Sequence, residues 1–315
     1  MIKKIINTVS LGITLSACQA QPIPNVKLHV KDVEAHIKTL SADDMRGRNA
    51  LVKEDIAKAA NYIAYQFEQA GLQPFNGLNY YFQNFKYQKL DLYNVVGVLP
   101  GKSLKDEYVI FSAHYDHIGL IKPVGKDSIA NGADDDASGV AAVLELAKYF
   151  AQKKDNERTL IFVAFTAEEI GGYGSQFFSR QLNPDKVKAM FNIEMIGKES
   201  KFGKKNAFIT GFNHSDFGQI LQKNLKGSEF TFHPDPYPEQ NLFYRSDNAT
   251  LARLGVPAHT ISTVQIDKDN FYHTVDDEIE TLDAENVTET IKAIIISATS
   301  IIKGDDTPSR VSLKK

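Results

Sequence analysis

The residues able to do chemistry in this chain gather at the ends of apolar runs. They are His114-Tyr115-Asp116-His117, the acidic run Asp134-Asp135-Asp136 within Gly132 to Gly139, the pair Glu168-Glu169, Glu194, and Tyr272-His273 ahead of Asp276-Asp277. Taken singly, each has an ordinary structural explanation. A histidine at a strand end is usually just hydrogen-bonded, an aspartate can cap a helix, and an acidic pair can sit on a solvated loop. Taken together, carboxylates crowded at neighbouring strand ends would repel, and a divalent cation would offset that repulsion. Imidazole and carboxylate donors without thiolate suit a catalytic zinc or a similar borderline metal. Calcium is a poorer fit, because the acidic run lacks the spaced D-x-D-x-D-G loop and histidine is a poor calcium ligand.

Placing these groups requires strands and helices in alternation. Val33, Ile37 and Leu40 mark one helix face. Ile56, Ala60, Ile63, Ala64 and Phe67 mark another, stopped by Gly71. Strand-like stretches follow at Tyr93–Leu99 and Glu107–Ala113, joined by Pro100-Gly101. A helix is expected from about Ser138, a buried strand at Thr159–Phe165, a helix around Phe177-Phe178, and a strand at Ala189–Ile196. Further on come a helix near His214–Leu225, a loop with Pro234, Pro236 and Pro238, a helix from Asp247, a strand at Ala258–Ile261 and a last helix over Ala284–Ile302. This alternation predicts an α/β fold: a three-layer α/β/α sandwich whose mixed, largely parallel central sheet carries helices on both faces, with the site at the strand ends. A single domain is expected over residues 26–304, followed by a polar tail at 305–315.

Composition sets the outer limits. The chain has 315 residues, a 43% hydrophobic share and ample aromatic core, with 19 Phe and 13 Tyr, so low-complexity disorder is excluded. One cysteine rules out an intramolecular disulfide framework or a multi-thiolate zinc site. A net charge of −3 gives no reason to expect nucleic acid as a partner. Lys3 and Lys4 precede an uncharged apolar stretch too short to span a bilayer, and this leads to Leu15-Ser16-Ala17-Cys18. That pattern resembles a bacterial lipobox, in which the cysteine is acylated after removal of the leader. Residues 1–17 are therefore expected to be a lipoprotein signal peptide, Cys18 the lipidation point and 18–25 a linker. The expected location is the bacterial cell envelope, lipid-anchored. By resemblance to lipoprotein sorting rules, Gln19 in place of aspartate favours the outer membrane facing the periplasm. A secreted or soluble periplasmic protein is the alternative.

The motifs HYD at 114–116, GADDDASG at 132–139, TAEE at 166–169 and YHT at 272–274, in that order, resemble the zinc-dependent aminopeptidase family that includes bacterial leucyl aminopeptidases. Glutaminyl cyclases and glutamate carboxypeptidases are more distant relatives of that family. The resemblance extends to LSADDMRGR at 40–48, NVVGVLPG at 94–101 and YRSDNATLARLGVPA at 244–258. It implies a zinc-exopeptidase fold and a two-zinc site, with peptides as substrates.

Carried over position by position, the resemblance makes His114 a ligand of one metal and Asp135 the bridge between two. Glu169 and His273 become ligands of the other metal. The remaining ligand position falls on Glu194, where the family commonly has aspartate; the extra methylene keeps a carboxylate. Glu168 becomes the general base and acid. Asp116 is expected to accept a hydrogen bond from His114 and fix its tautomer. Tyr272 is a candidate donor to the developing oxyanion. A cis Asp135–Asp136 peptide is also implied. His117 is expected to be structural or substrate-facing, and His29, His36, His214, His233 and His259 to be surface or core residues. The competing readings are a glutaminyl cyclase, a carboxypeptidase using Arg245 to hold a substrate carboxylate, and a binding ectodomain without catalysis. Metabolic labelling with a fatty acid in a bacterial host should mark the wild-type protein, and Cys18→Ser should carry no label and leave the membrane fraction; an unlabelled wild type removes the anchor.

Overall fold

The computed structural model describes residues 25–312. The leader, Cys18 and most of the linker lie outside them. Two helices come first, α1 (Val30–Leu40) and α2 (Lys53–Ala70). The apolar spacing that predicts them is the face they bury: Val33, Ile37 and Leu40 in α1, and Ile56, Ala60, Ile63, Ala64 and Phe67 in α2. Gly71 ends α2 in the left-handed conformation, with the Leu72 N–H returning to the Phe67 carbonyl at 3.1 Å. Next are the strands β1 (Gln73–Pro74), β2 (Phe82–Tyr87), β3 (Leu90–Leu99) and β4 (Leu104–His114), then a hairpin of β5 (Gly119–Val124) and β6 (Asp127–Ala130). The chain continues through α3 (Gly139–Lys153), β7 (Arg158–Phe165), α4 (Tyr173–Ser179), β8 (Val187–Ile193) and β9 (Asn206–Ile209). It finishes with α5 (Phe217–Asn224), β10 (Thr231–Pro234), α6 (Asn248–Ala252), β11 (Ala258–Ser262) and α7 (Ala284–Lys303).

The main sheet has the order β1-β3-β7-β4-β8-β11-β9-β10, with β2 paired to β3. Its centre, β7-β4-β8-β11, is parallel. The flanks turn antiparallel where β3 meets β7 and β9 meets β11. Alternate residues of the central strands face two cores. Phe111, Phe162 and Phe191 pack with α1, α2, α3, α5 and α7, whereas Ile110, Ile161 and Met190 pack with α4 and α6. The three-layer sandwich expected from the sequence is present, with one helical layer much thicker than the other.

Six strands, β1, β2, β5, β6, β9 and β10, have no counterpart in the sequence expectations. β9 and β10 are four residues each, and the hairpin strands are also short. Pro234 in β10 gave the segment the look of a loop. It is the last residue of an edge strand, where a missing N–H leaves no central ladder broken. β2 is a polar edge strand with Gln83, Asn84 and Lys86 interrupting its aromatics. No helix among the described residues is long and apolar enough to cross a membrane.

The centre of the thicker core is an aromatic stack. Phe111 is fully buried, with ring centroids 4.9 Å from Phe191, 5.6 Å from Phe162 and 5.7 Å from Phe150. Truncation there loses contacts to β7, β8 and α3 at once, because close-packed interiors relax only partly around a cavity. Phe111→Ala should lower unfolding stability by about 3–5 kcal/mol in urea melts followed by circular dichroism; a loss under about 1 kcal/mol would mean the stack is not a packing centre.

Candidate metal centre

Because β4, β7 and β8 are adjacent and parallel, they deliver His114, the turn after Phe165 and Glu194 to one edge of the sheet. That is where open α/β sheets leave a crevice. The acidic run arrives from the segment before α3, across a cis Asp135–Asp136 peptide, as the resemblance implied. Its three carboxylates have different surroundings. Asp136 accepts from the main-chain N–H groups of His114 (3.3 Å), Gly139 (3.1 Å) and Met195 (3.1 Å), tying together the end of β4, the start of α3 and the end of β8. Asp134 accepts from Gly197 N at 2.7 Å and lies 3.5 Å from Lys198 Nζ. The Asp277 carboxylate in turn receives the N–H groups of Asp134 and Asp135, at 3.0 and 3.1 Å. Only Asp135 is left to project among the histidines.

Its two oxygens face different partners. Oδ1 lies 3.1 Å from His114 Nε2. Oδ2 lies 3.2 Å from His273 Nε2 and 3.7 Å from His117 Nδ1. Glu169 closes the second group, with Oε2 3.1 Å from His273 Nε2 and Oε1 2.9 Å from His117 Nδ1. Asp135 Oδ2 and His273 Nε2 are buried and have no hydrogen-bond partner among the described residues, despite these short approaches. Glu194 Oε2 is buried and unpartnered too. His117 Nδ1 and Glu169 Oε1 are within hydrogen-bond distance, whereas Asp135 Oδ2 and His273 Nε2, 3.2 Å apart without bonding, are aimed at a shared point, as ligands 2.0–2.2 Å from one cation would be. The ligand atoms of His117, Asp135, Glu169 and His273 all lie within 4.8 Å of one another. The residues therefore fit a divalent cation on the Oδ2 side. His114 stands on the Oδ1 side, outside that group of four, and Glu194 lines a pocket together with Asp135.

Electrostatics point the same way. Burial pushes the Glu194 carboxyl up to about 7; His114 and Ser246 pull it down while Asp135 and Asp247 add to the rise. Burial also pushes Glu168 well above the usual carboxylate range, with His114 opposing and Glu194, Asp247 and Glu169 reinforcing. These acids crowd a desolvated volume in which a cation would be strongly attracted.

Asp116 departs from its expected role. His114 Nδ1 lies 3.1 Å from the Asp116 main-chain carbonyl and 3.9 Å from its carboxylate. The carbonyl therefore fixes the His114 tautomer. The carboxylate faces the next strand end and accepts from Glu168 N at 3.1 Å and Glu169 N at 3.4 Å, which orients the two glutamates. Burial raises Asp116 to about 7, against the pull of His114. Tyr272 is half-buried and stacks on His273 at 3.9 Å, and burial followed by Asp135 and Glu169 raises its phenol, so the hydroxyl keeps its proton. Among the histidines given no chemical role, His259 is fully buried between Ser215 Oγ and the Thr210 carbonyl, and His36 contacts Tyr62 and Glu145.

Beside Asp135, Glu168, Glu194 and Tyr272 opens a pocket walled by Met195, Phe208, Leu242, Val264 and Ile266, with the exposed Arg245 at its edge. A family model described as Peptidase family M28 matches residues 94–298. The chain belongs to peptidase family M28. Over 226 residues this M28 chain is 29% identical to a probable leucine aminopeptidase of Trichophyton verrucosum; the match takes in 68% of this chain and 59% of that protein. Its fold is similar to that of BSAP, a zinc aminopeptidase from Bacillus subtilis, with a TM-score of 0.70 and 14% identity over 91% of this chain and 98% of that one. It is also similar to that of Porphyromonas gingivalis glutaminyl cyclase, with a TM-score of 0.67 and 16% identity over 87% and 99% of the two chains. At such identities the likeness is one of fold.

Sequence reasoning gave no role to two residues of this M28 centre. Asp247 is buried beside the acidic cluster with both oxygens unpartnered, and burial raises it to about 6. Arg48 is fully buried and donates five hydrogen bonds, all to main-chain carbonyls: Leu40 (2.6 Å), Asn131 (2.7 Å), Tyr115 (2.8 Å), Gly132 (2.9 Å) and Asp135 (3.4 Å). Burial works against its charge, which Asp135, Asp277, Asp116 and Asp136 support. Both lie in segments quoted above for their resemblance, yet only the fold brings them to the candidate ligands. Arg48→Met should cost at least about 3 kcal/mol in urea unfolding, since several carbonyls lose a charged donor. Arg48→Lys should recover less than half of that loss, because an ammonium cannot reproduce the planar fork.

Proposed function

We propose that this protein is a metal-dependent aminopeptidase with a two-zinc site. The observation that carries the reading is the division of Asp135, whose two oxygens face His114 on one side and His273 with Glu169 on the other. In this reading His114, Asp135 and Glu194 hold one zinc, and Asp135, Glu169 and His273 hold the other. The peptidase family and the leucine aminopeptidase relative support the choice of activity, and the histidine and carboxylate donors suit zinc. Bound there, the ions supply Lewis acidity to a peptide carbonyl and a more acidic attacking water.

The chain's own residues supply the rest. Glu168 lines the same pocket as Asp135 and Glu194, and its main-chain N–H is held by Asp116. One of its carboxylate oxygens accepts the proton of the attacking water and returns it to the leaving amine nitrogen. Tyr272, which keeps its phenolic proton, donates a hydrogen bond to the oxygen of the attacked carbonyl. The apolar wall formed by Met195, Phe208, Leu242, Val264 and Ile266 excludes water and receives the side chain of the first residue. A carboxypeptidase would need cations to clamp a substrate carboxylate, and Arg245 is the arginine that lines this pocket. The proposed setting is the bacterial cell envelope, through lipidation of Cys18, probed by the labelling experiment above.

Aminoacyl anilides with a free amine should be cleaved, N-blocked anilides should not, and chelation should abolish turnover with recovery on added zinc. Glu168→Gln should lower kcat by about 10²–10⁴-fold while retaining bound metal. Near-normal kcat in that variant, or cyclisation of N-terminal glutamine with no anilide cleavage, overturns the assignment.

A further inference from the structure

The two halves of the centre are not equally furnished. We propose that His117 is a fourth protein ligand on the Asp135 Oδ2 side, which makes that position a closed site and leaves the His114 side as the open, exchangeable one. This rests on the metal-centre reading above and goes beyond it, because the family pattern assigns no ligand at position 117.

Geometry provides the first argument. His117 Nδ1 is 2.9 Å from Glu169 Oε1 and 3.7 Å from Asp135 Oδ2, and it belongs to the group of four whose ligand atoms lie within 4.8 Å of one another. The rings of His117 and His273 stand 5.5 Å apart at 71°, and both approach the Asp135 and Glu169 carboxylates. The buried, unpartnered Asp135 Oδ2 and the unpartnered His273 Nε2 are independent signs that a ligand belongs between them.

Rigidity provides the second. His117 is buried, and its main-chain N–H donates to the Arg48 carbonyl at 3.2 Å. The ring lies against Gly132, where a Cβ would sit 2.6 Å from the imidazole Cγ. The glycine leaves space for the ring and the backbone fixes its position, so the imidazole is held in place before any ion arrives.

Donor chemistry provides the third. His117, His273, Asp135 and Glu169 make a complete set of two nitrogens and two oxygens, and four protein ligands are the pattern of a closed zinc site. The other side offers His114, Asp135 and Glu194, three protein ligands, the number that leaves a position for water or substrate. The closed site holds its ion tightly and positions Asp135, while the open side is where substrate atoms exchange.

The other role compatible with the 2.9 Å contact is donation from His117 Nδ1–H to Glu169, and the experiment separates the two. Full-length protein with ¹⁵N-labelled histidines is stripped of metal and titrated with ¹¹³Cd²⁺. The first equivalent should give cadmium–nitrogen coupling at His117 Nδ1 and His273 Nε2, and the second should add His114 Nε2. In chelator competition with zinc, the first ion should be held at least about 10-fold more tightly than the second. His117→Asn should weaken the first by about 10–100-fold and leave the second unchanged. Coupling at His273 with none at His117, whose Nδ1 keeps its proton, overturns the inference and leaves the two-metal reading standing. Coupling at none of the three histidines overturns both.

Discussion

Carboxylates that repel one another share one desolvated volume at the ends of β4, β7 and β8, and the surrounding structure is organised around keeping them there. Burial alone would drive groups such as Glu194 and Asp247 to take up protons. Fixed positive or partially positive groups answer this from several directions. Asp134 and Asp136 accept main-chain N–H groups, Asp116 accepts two more, and the Arg48 guanidinium lies fully buried behind the loops that carry the ligands. Arg48 binds carbonyls and no carboxylate, so it fixes the paths of the 115–117 and 131–135 segments while leaving the acidic oxygens free for the cleft. A direct ion pair with Asp135 would compete with any cation for the same lone pairs.

Much of this arrangement was legible in the sequence, for identifiable reasons. Long elements with strong periodicity, such as α2, α3 and α7, and the near-continuous apolar strand β7 announce themselves because burial dictates residue type at fixed intervals. Glu168, Glu169 and His273 stand out in the sequence because each follows a recognisable element or lies in a motif whose order is specific. Edge strands such as β2 and β10 were missed because one face and one side are solvated, which relaxes the pattern.

Partners chosen by backbone rather than by side-chain type were also hidden. The sequence places a carboxylate two residues after His114 and suggests that the two bond. The fold instead turns the Asp116 side chain toward the β7 turn and gives His114 the carbonyl. Likewise the run DDD alone does not say which aspartate faces the histidines; the resemblance named Asp135, and the fold shows how it is selected. That depends on which N–H groups of Gly139, Met195 and Gly197 are within reach of each side chain. His117 and Arg48 share this character, since their roles depend on contacts with residues far along the chain.

The Arg48 clamp also bears on which stretch of polypeptide is the working unit. The family match begins at residue 94 and takes in every candidate ligand described above, yet the guanidinium bonded to the loops that carry them comes from residue 48, before the matched region starts. An excised 94–298 fragment would keep the candidate-site carboxylates and lose this positive charge. Module boundaries drawn by sequence similarity and those drawn by electrostatic self-sufficiency differ here. The second places the amino-terminal limit upstream of Leu40, whose carbonyl is the fifth acceptor of the same side chain.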